Sequence, residues 1–177
     1  MSNIKSLFRN AAADFDHPLE MLAACHDRIE ERCDLLQRLI EHLRERGADS
    51  EARQAATNVI RYFDTAGENH HRDEEDDLFP RLTACDPEAA EPLVARLLGE
   101  HREMRAAWAS LRATLSRVAA GESVLLDGGE VDRFSALYRG HIDLEERELL
   151  PLAERSLDPD ALATTGEAMA RRRGVKP

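Results

Sequence analysis

The 177-residue chain contains no Cys-x-x-Cys pair, and its three cysteines, Cys25, Cys33 and Cys85, are odd in number. Both facts argue against a disulfide framework and against a thiolate zinc site. The three are expected to be reduced, small core residues. No apolar run approaches the roughly 18 residues that a membrane helix needs, and Met1-Ser2-Asn3-Ile4-Lys5-Ser6-Leu7-Phe8 lacks the apolar segment of a secretory signal. A soluble, cytoplasmic protein is therefore expected. Strand signals are nearly missing too, with no alternating Val/Ile/Thr run and no Asn-Gly hairpin. Positive charge is scarce: 24 Lys and Arg against 35 Asp and Glu leave a net −11, which disfavours nucleic acid and anionic lipid as partners. Only Arg171-Arg172-Arg173 and Lys176 are locally basic, and they read as a solvated terminus.

What is present is helical periodicity. Asp16-His17-Pro18 offers a helix start, with an Asp cap and proline in the first turn. Leu19, Leu22, His26, Ile29, Cys33, Leu36 and Ile40 then recur at alternating spacings of three and four, one buried helical stripe. It ends near Gly47, where Gly47-Ala48-Asp49-Ser50 reads as a C-cap followed by the next N-cap. A second helix carries Val59, Phe63, Ala66 and His70 inward and is disturbed at Pro80, because proline removes an amide donor. After Asp86-Pro87 the third carries Val94, Leu97, His101, Met104, Trp108, Leu111, Leu115 and Val118. A fourth carries Val131, Phe134, Tyr138, His141 and Glu145 and is interrupted at Pro151. The fold class expected is all-α, an up-down-up-down antiparallel four-helix bundle with a short C-terminal fifth helix that Asp158-Pro159 caps. The expected organisation is a lead over 1–16, the bundle over 17–157, and the short helix with its basic tail over 158–177.

A repeat sits inside this pattern. Phe, six residues, His, three residues, Glu-Glu, two residues, Leu, an apolar residue and Pro occur from Phe63 and again, 71 residues later, from Phe134. So strict a repeat points to a site built twice.

Each long helix places one histidine on its buried stripe: His26, His70, His101 and His141. Polar residues there cost stability unless something satisfies them. In antiparallel hairpins, residues equidistant from a turn lie level. His26 stands 21 residues before Gly47 and His70 stands 23 after it, while His70 and His101 stand 15 and 16 from Cys85. At about 1.5 Å per residue these mismatches amount to a few ångströms at most. Glu74 and Glu145 follow His70 and His141 by four residues, on the same helix face. Four imidazoles and two carboxylates are more than one tetrahedral zinc needs. They suit two cations, with the carboxylates bridging and the imidazoles terminal.

Taken one at a time, such histidines are more often satisfied core residues; their level placement, the duplication and the His-x-x-x-Glu spacing favour metal. His17 and His42 match nothing and read as surface residues. Asp73, Glu75, Asp76 and Asp77 read as a solvated face, as does Glu148 at the repeat position of Asp77. A phosphate-accepting histidine would not be flanked by carboxylates that repel phosphate.

With these residues in place the chain resembles the hemerythrin-like (HHE) cation-binding domain over about residues 17 to 152. The resemblance implies a four-helix bundle holding a non-haem di-iron centre, two irons with an oxo or hydroxo bridge, ligated by His26, His70, Glu74, His101, His141 and Glu145. Oxygen-carrying hemerythrins resemble this pattern but place two histidines four apart on the third helix, and here the partners of His101 are Leu97 and Arg105. That leaves either an open coordination position or Glu30, His71, Glu75, Tyr62 or Tyr138 as a further ligand. Mixed imidazole and carboxylate without thiolate suits iron better than manganese or zinc, and ferritin-like centres use Glu-x-x-His with more carboxylates. The expected function is binding or sensing of dioxygen, nitric oxide, peroxide or redox status. A di-iron enzyme acting on peroxide and a metal-responsive regulatory module are the alternatives, and the absence of a recognisable general acid or substrate pocket puts the enzyme second.

Overall fold

The computed structural model describes residues 14–176, and among these every regular element is helical. The expected lead over 1–16 lies outside the described residues up to position 13. Helices α1 (Pro18–Arg46), α2 (Ser50–Tyr62), α3 (Glu68–Arg72), α4 (Phe79–Cys85), α5 (Pro87–Ala119), α6 (Gly128–Leu144), α7 (Leu150–Ser156) and α8 (Pro159–Arg172) follow in order. None of these helices is long and apolar enough to cross a membrane.

Local signals set the helix ends. Gly47 takes φ 68°, a left-handed conformation that glycine adopts without penalty. Asp49 then caps α2 by accepting from the Ala52 amide at 2.9 Å, and Asp158 caps α8 by accepting from the Ala161 amide at 2.8 Å. At the start of α1 it is Asp14, rather than the expected Asp16, that is bonded, accepting from the Asp16 amide at 3.1 Å. Proline 18 fits the first turn, where an amide donor has no intrahelical acceptor.

The prolines of the repeat do not break their helices. Pro80 and Pro151 stand in the first turns of α4 and α7, and a π-helical turn precedes each: Asp73–Leu78 and Glu145–Leu149. A third π turn, Phe63–Gly67, opens the first copy of the repeat. Proline has no amide hydrogen, and its ring would collide with the carbonyl four residues back. Widening the turn before it moves that carbonyl away and lets the helix continue. The bonds are the same in both copies: the Phe79 amide reaches the Glu74 carbonyl and the Leu150 amide reaches the Glu145 carbonyl.

The chain forms two compact units, one of residues 14–27, 69–99 and 141–176 and the other of 28–68 and 100–140, with α1, α3, α5 and α6 contributing to both. The first has a core of leucines, among them Leu22, Leu78, Leu82, Leu97, Leu144 and Leu149, closed by Met169 of α8. The second is built on an aromatic cluster. Phe134 is fully buried, with ring centroids 5.0 Å from Phe63 and from Tyr138 and 5.7 Å from Trp108. Trp108 is half-buried rather than core, because its indole N–H reaches out to Asp64 at 3.0 Å. Cys25 and Cys33 are buried free thiols, whereas Cys85 is exposed at the end of α4, which corrects the expectation that all three are core.

Helix α8 packs so closely in the first unit that a Cβ at Gly166 would collide with the Phe15 carbonyl. Helix propensity by itself favours alanine over glycine by about 1 kcal/mol. The contact reverses the sign, so Gly166→Ala is expected to lose about 1–3 kcal/mol in a denaturant melt, and unchanged or raised stability would refute the close approach.

Candidate metal centre

The repeat brings its ligand-type residues together inside the first unit. His26 comes from α1, His70 from α3, His141 from α6, and Glu74 and Glu145 from the two π turns before the prolines. All five side chains are buried, none more than 1% exposed, as is His101 of α5. Glu145 is the common partner: its Oε2 lies 2.9 Å from His26 Nε2 and 3.8 Å from His70 Nε2, and its Oε1 lies 2.8 Å from His141 Nε2. Glu74 Oε1 lies 3.4 Å from His70 Nε2, and the His26 and His70 rings stand edge to face at 5.1 Å. Glu146 approaches the other nitrogen of His26, Nδ1, at 3.4 Å.

A donor set results: one atom each from His26, His70, Glu74 and Glu145 lie within 4.8 Å of one another, and His141 adjoins it through Glu145. His101 belongs to the second unit. The set does not include Glu30, His71 or Glu75. His71 is 2% exposed, its ring 6.1 Å from that of His70 and 6.3 Å from that of His141, while Glu30 and Glu75 are half-buried. Tyr138 belongs to the aromatic cluster of the second unit, and Tyr62 lies under the Arg32 guanidinium at 5.1 Å.

The donor set fits a cation. Both ring nitrogens of His70, Nε2 of His26 and both oxygens of Glu145 are buried without a hydrogen bond of regular geometry, and buried polar atoms of this kind are what a bound cation satisfies. Burial opposes a charged Glu145, but the charge of His141 and the bonds of His141, His26 and His70 hold the carboxyl well below its ordinary range. Burial likewise opposes charge on His70, and Glu74, then the Cys25 thiol and Glu145, raise it well above its ordinary value. For His26 the Glu145 and Glu146 carboxylates outweigh burial and raise the imidazole. An ionised carboxylate ringed by imidazoles is an arrangement in which protons and metal compete for the same positions.

The acidic stretch after His70 is not the solvated face expected of it. Asp73 is fully buried and Asp77 is 8% exposed, since both are covered by the basic end of the chain. Arg172 donates to Asp73 and, at 2.6 Å, to Asp77, and Arg173 donates to Asp73 at 2.6 Å. Arg172 and Arg173 are correspondingly paired rather than solvated, while Arg171 and Lys176 are exposed as expected. Asp76 and Glu148 are exposed as expected. No sequence signal joins Asp73 to Arg172, which lie 99 residues apart. The π turns did leave one, a proline six residues after each glutamate.

A family model described as the hemerythrin HHE cation binding domain matches residues 17–153. An uncharacterized protein of Haemophilus influenzae is 30% identical over 164 residues, a stretch that spans 93% of this chain and 94% of the relative.

Proposed function

Since the chain belongs to the hemerythrin HHE cation-binding family, we propose that it is a non-haem di-iron protein that binds or senses dioxygen, nitric oxide or peroxide. One observation carries this reading: buried Glu145 faces His26, His70 and His141 while Glu74 faces His70, a set of donors larger than one tetrahedral cation needs. His26 and His70 would complete one cation's shell and His101 and His141 the other's. Imidazole-rich ligation without thiolate favours iron over manganese or zinc. Iron held there would supply reversible coordination of a small ligand and one-electron redox chemistry. The chain's own residues would position it and keep water out, since Glu74 and Glu145 are 1% and 0% exposed. The reading includes an up-down-up-down four-helix arrangement over 17–157 and a cytoplasmic setting in which the three thiols stay reduced.

Metal counting tests it. Protein from iron-replete cells is expected to carry about two irons per chain and an optical spectrum that changes on exposure to oxygen; one zinc or no metal would sink the proposal.

A second reading, a di-iron enzyme that breaks down peroxide, rests on Leu97. This fully buried leucine stands where the oxygen-carrying hemerythrins that the sequence resembles have a second histidine. Steady-state peroxide turnover that His101→Ala abolishes would favour it over a binder.

A further inference from the structure

We infer that Arg172 and Arg173 of the C-terminal helix are positioning residues for the metal centre: clamped on Asp73 and Asp77, they fix the π turn that carries Glu74 and so retain the metal. The inference rests on the metal reading above and adds to it a segment, α8, that lies beyond the residues matched by the family model.

The clamp is built from forked contacts. Arg172 spans Asp73 and Asp77 with its two terminal nitrogens. Arg173 grips both oxygens of Asp73, at 3.1 and 2.6 Å, while Nη1 also donates to the Met169 carbonyl at 3.0 Å. Its guanidinium lies 5.9 Å from the Phe15 ring centre. Paired guanidinium forks on a buried carboxylate are among the most directional polar contacts available. Asp73 is the residue directly before Glu74 and opens the π turn Asp73–Leu78. Holding its side chain from both oxygens therefore restrains the backbone from which Glu74 projects.

The repeat shows that the fold does not demand this charge. The position of Asp73 in the first copy is Leu144 in the second, buried in the leucine core, and the position of Asp77 is Glu148, which is exposed. A leucine thus satisfies the packing at this place before the same kind of π turn. Exchanging a buried ion cluster for apolar residues is often neutral or stabilising. The charged version in the first copy does something packing does not require. The two glutamates differ in a matching way: Glu145 lies 2.8 and 2.9 Å from His141 and His26, whereas Glu74 lies 3.4 Å from His70. The glutamate less tightly drawn to its imidazole is the one whose turn is clamped.

The test uses the full chain loaded with ferrous iron and follows release to an excess of a colorimetric ferrous chelator. In the variant Asp73→Leu, Arg172→Met, Arg173→Met the leucine of the second copy is installed in the first and the arginines become apolar, while Asp77 keeps the Arg81 guanidinium at 3.5 Å. Release is expected to be about 10- to 100-fold faster, the usual effect of losing a residue that orients a metal ligand, while the metal-free variant melts no lower than the metal-free parent. A purely structural clamp would give the opposite result, a lower metal-free melting temperature with unchanged release, and that outcome overturns the inference. Should the triple variant fail to fold, Arg172→Lys with Arg173→Lys keeps the charges and removes the forks; parental release from that variant also overturns it. Parent protein that takes up no iron sinks the metal reading itself, whereas normal uptake with unaltered release sinks only the clamp.

Discussion

Glu145→Ala is expected to empty the metal centre, taking iron from about two per chain to none and removing the visible spectrum. The carboxylate belongs to the buried donor set and stands within ionic distance of three imidazoles, at 2.8 Å from His141, 2.9 Å from His26 and 3.8 Å from His70. Its loss removes a ligand from each cation at once. It also removes negative charge from a site that burial already makes costly for positive charge. Altering an outer partner of a metal ligand costs about 10- to 100-fold in affinity, so loss of a shared ligand should exceed that range. Glu74→Ala is expected to lower occupancy next most, through its place in the donor set, and Glu75→Ala least, since Glu75 is half-buried and outside it. Helix content by circular dichroism should be unchanged in all three. Full iron in Glu145→Ala, or equal losses from Glu74→Ala and Glu75→Ala, would mean that the bridging face is assigned wrongly.

Stripping the metal with a chelator is expected to lower the melting temperature by about 10 °C. A ligand present at 1,000 times its dissociation constant and absent from the unfolded chain stabilises by about 4.1 kcal/mol. For a chain of 177 residues, each kcal/mol moves the midpoint by about 2–4 °C. The physical origin is the set of buried nitrogens and carboxylate oxygens without regular hydrogen bonds. Without a cation these groups must share protons or remain desolvated and unpaired, and the cost falls on the folded state alone. Scanning calorimetry of loaded and stripped protein, with iron added back, measures the difference. Coincident melts of the two forms, with metal demonstrably bound in one, would show that the site folds equally well without it.

The outline of this site was legible because its grammar is local. Helical periodicity put His26, His70, His101 and His141 on buried stripes, and all four are buried. Repeat spacing singled out Glu74 and Glu145, the two carboxylates of the buried donor set. The prolines were visible as well, but their effect was misjudged. Pro80 and Pro151 widen the turn before them instead of ending the helix, because a π turn is an alternative to a break when the surrounding packing holds both flanking helices in place.

Charge was the poorer guide. Asp73, Asp76 and Asp77 look alike in the sequence, yet one is fully buried, one exposed and one 8% exposed. The difference is made by Arg172 and Arg173, about 100 residues further on. A carboxylate leaves water only where a partner meets it, and the partner's arrival depends on where α8 packs. The sequence by itself determined the helices, the buried stripes and the histidine and glutamate types at each candidate position, since those follow from backbone periods of three to four residues and from the aversion of apolar surface to water. Tertiary structure alone decided that Glu145 is the shared partner of three imidazoles, that Glu74 and Glu145 ride on π turns, and that the basic end of the chain closes over Asp73. Each of these is a contact between segments far apart in sequence, and only packing of the whole chain specifies which distant groups meet.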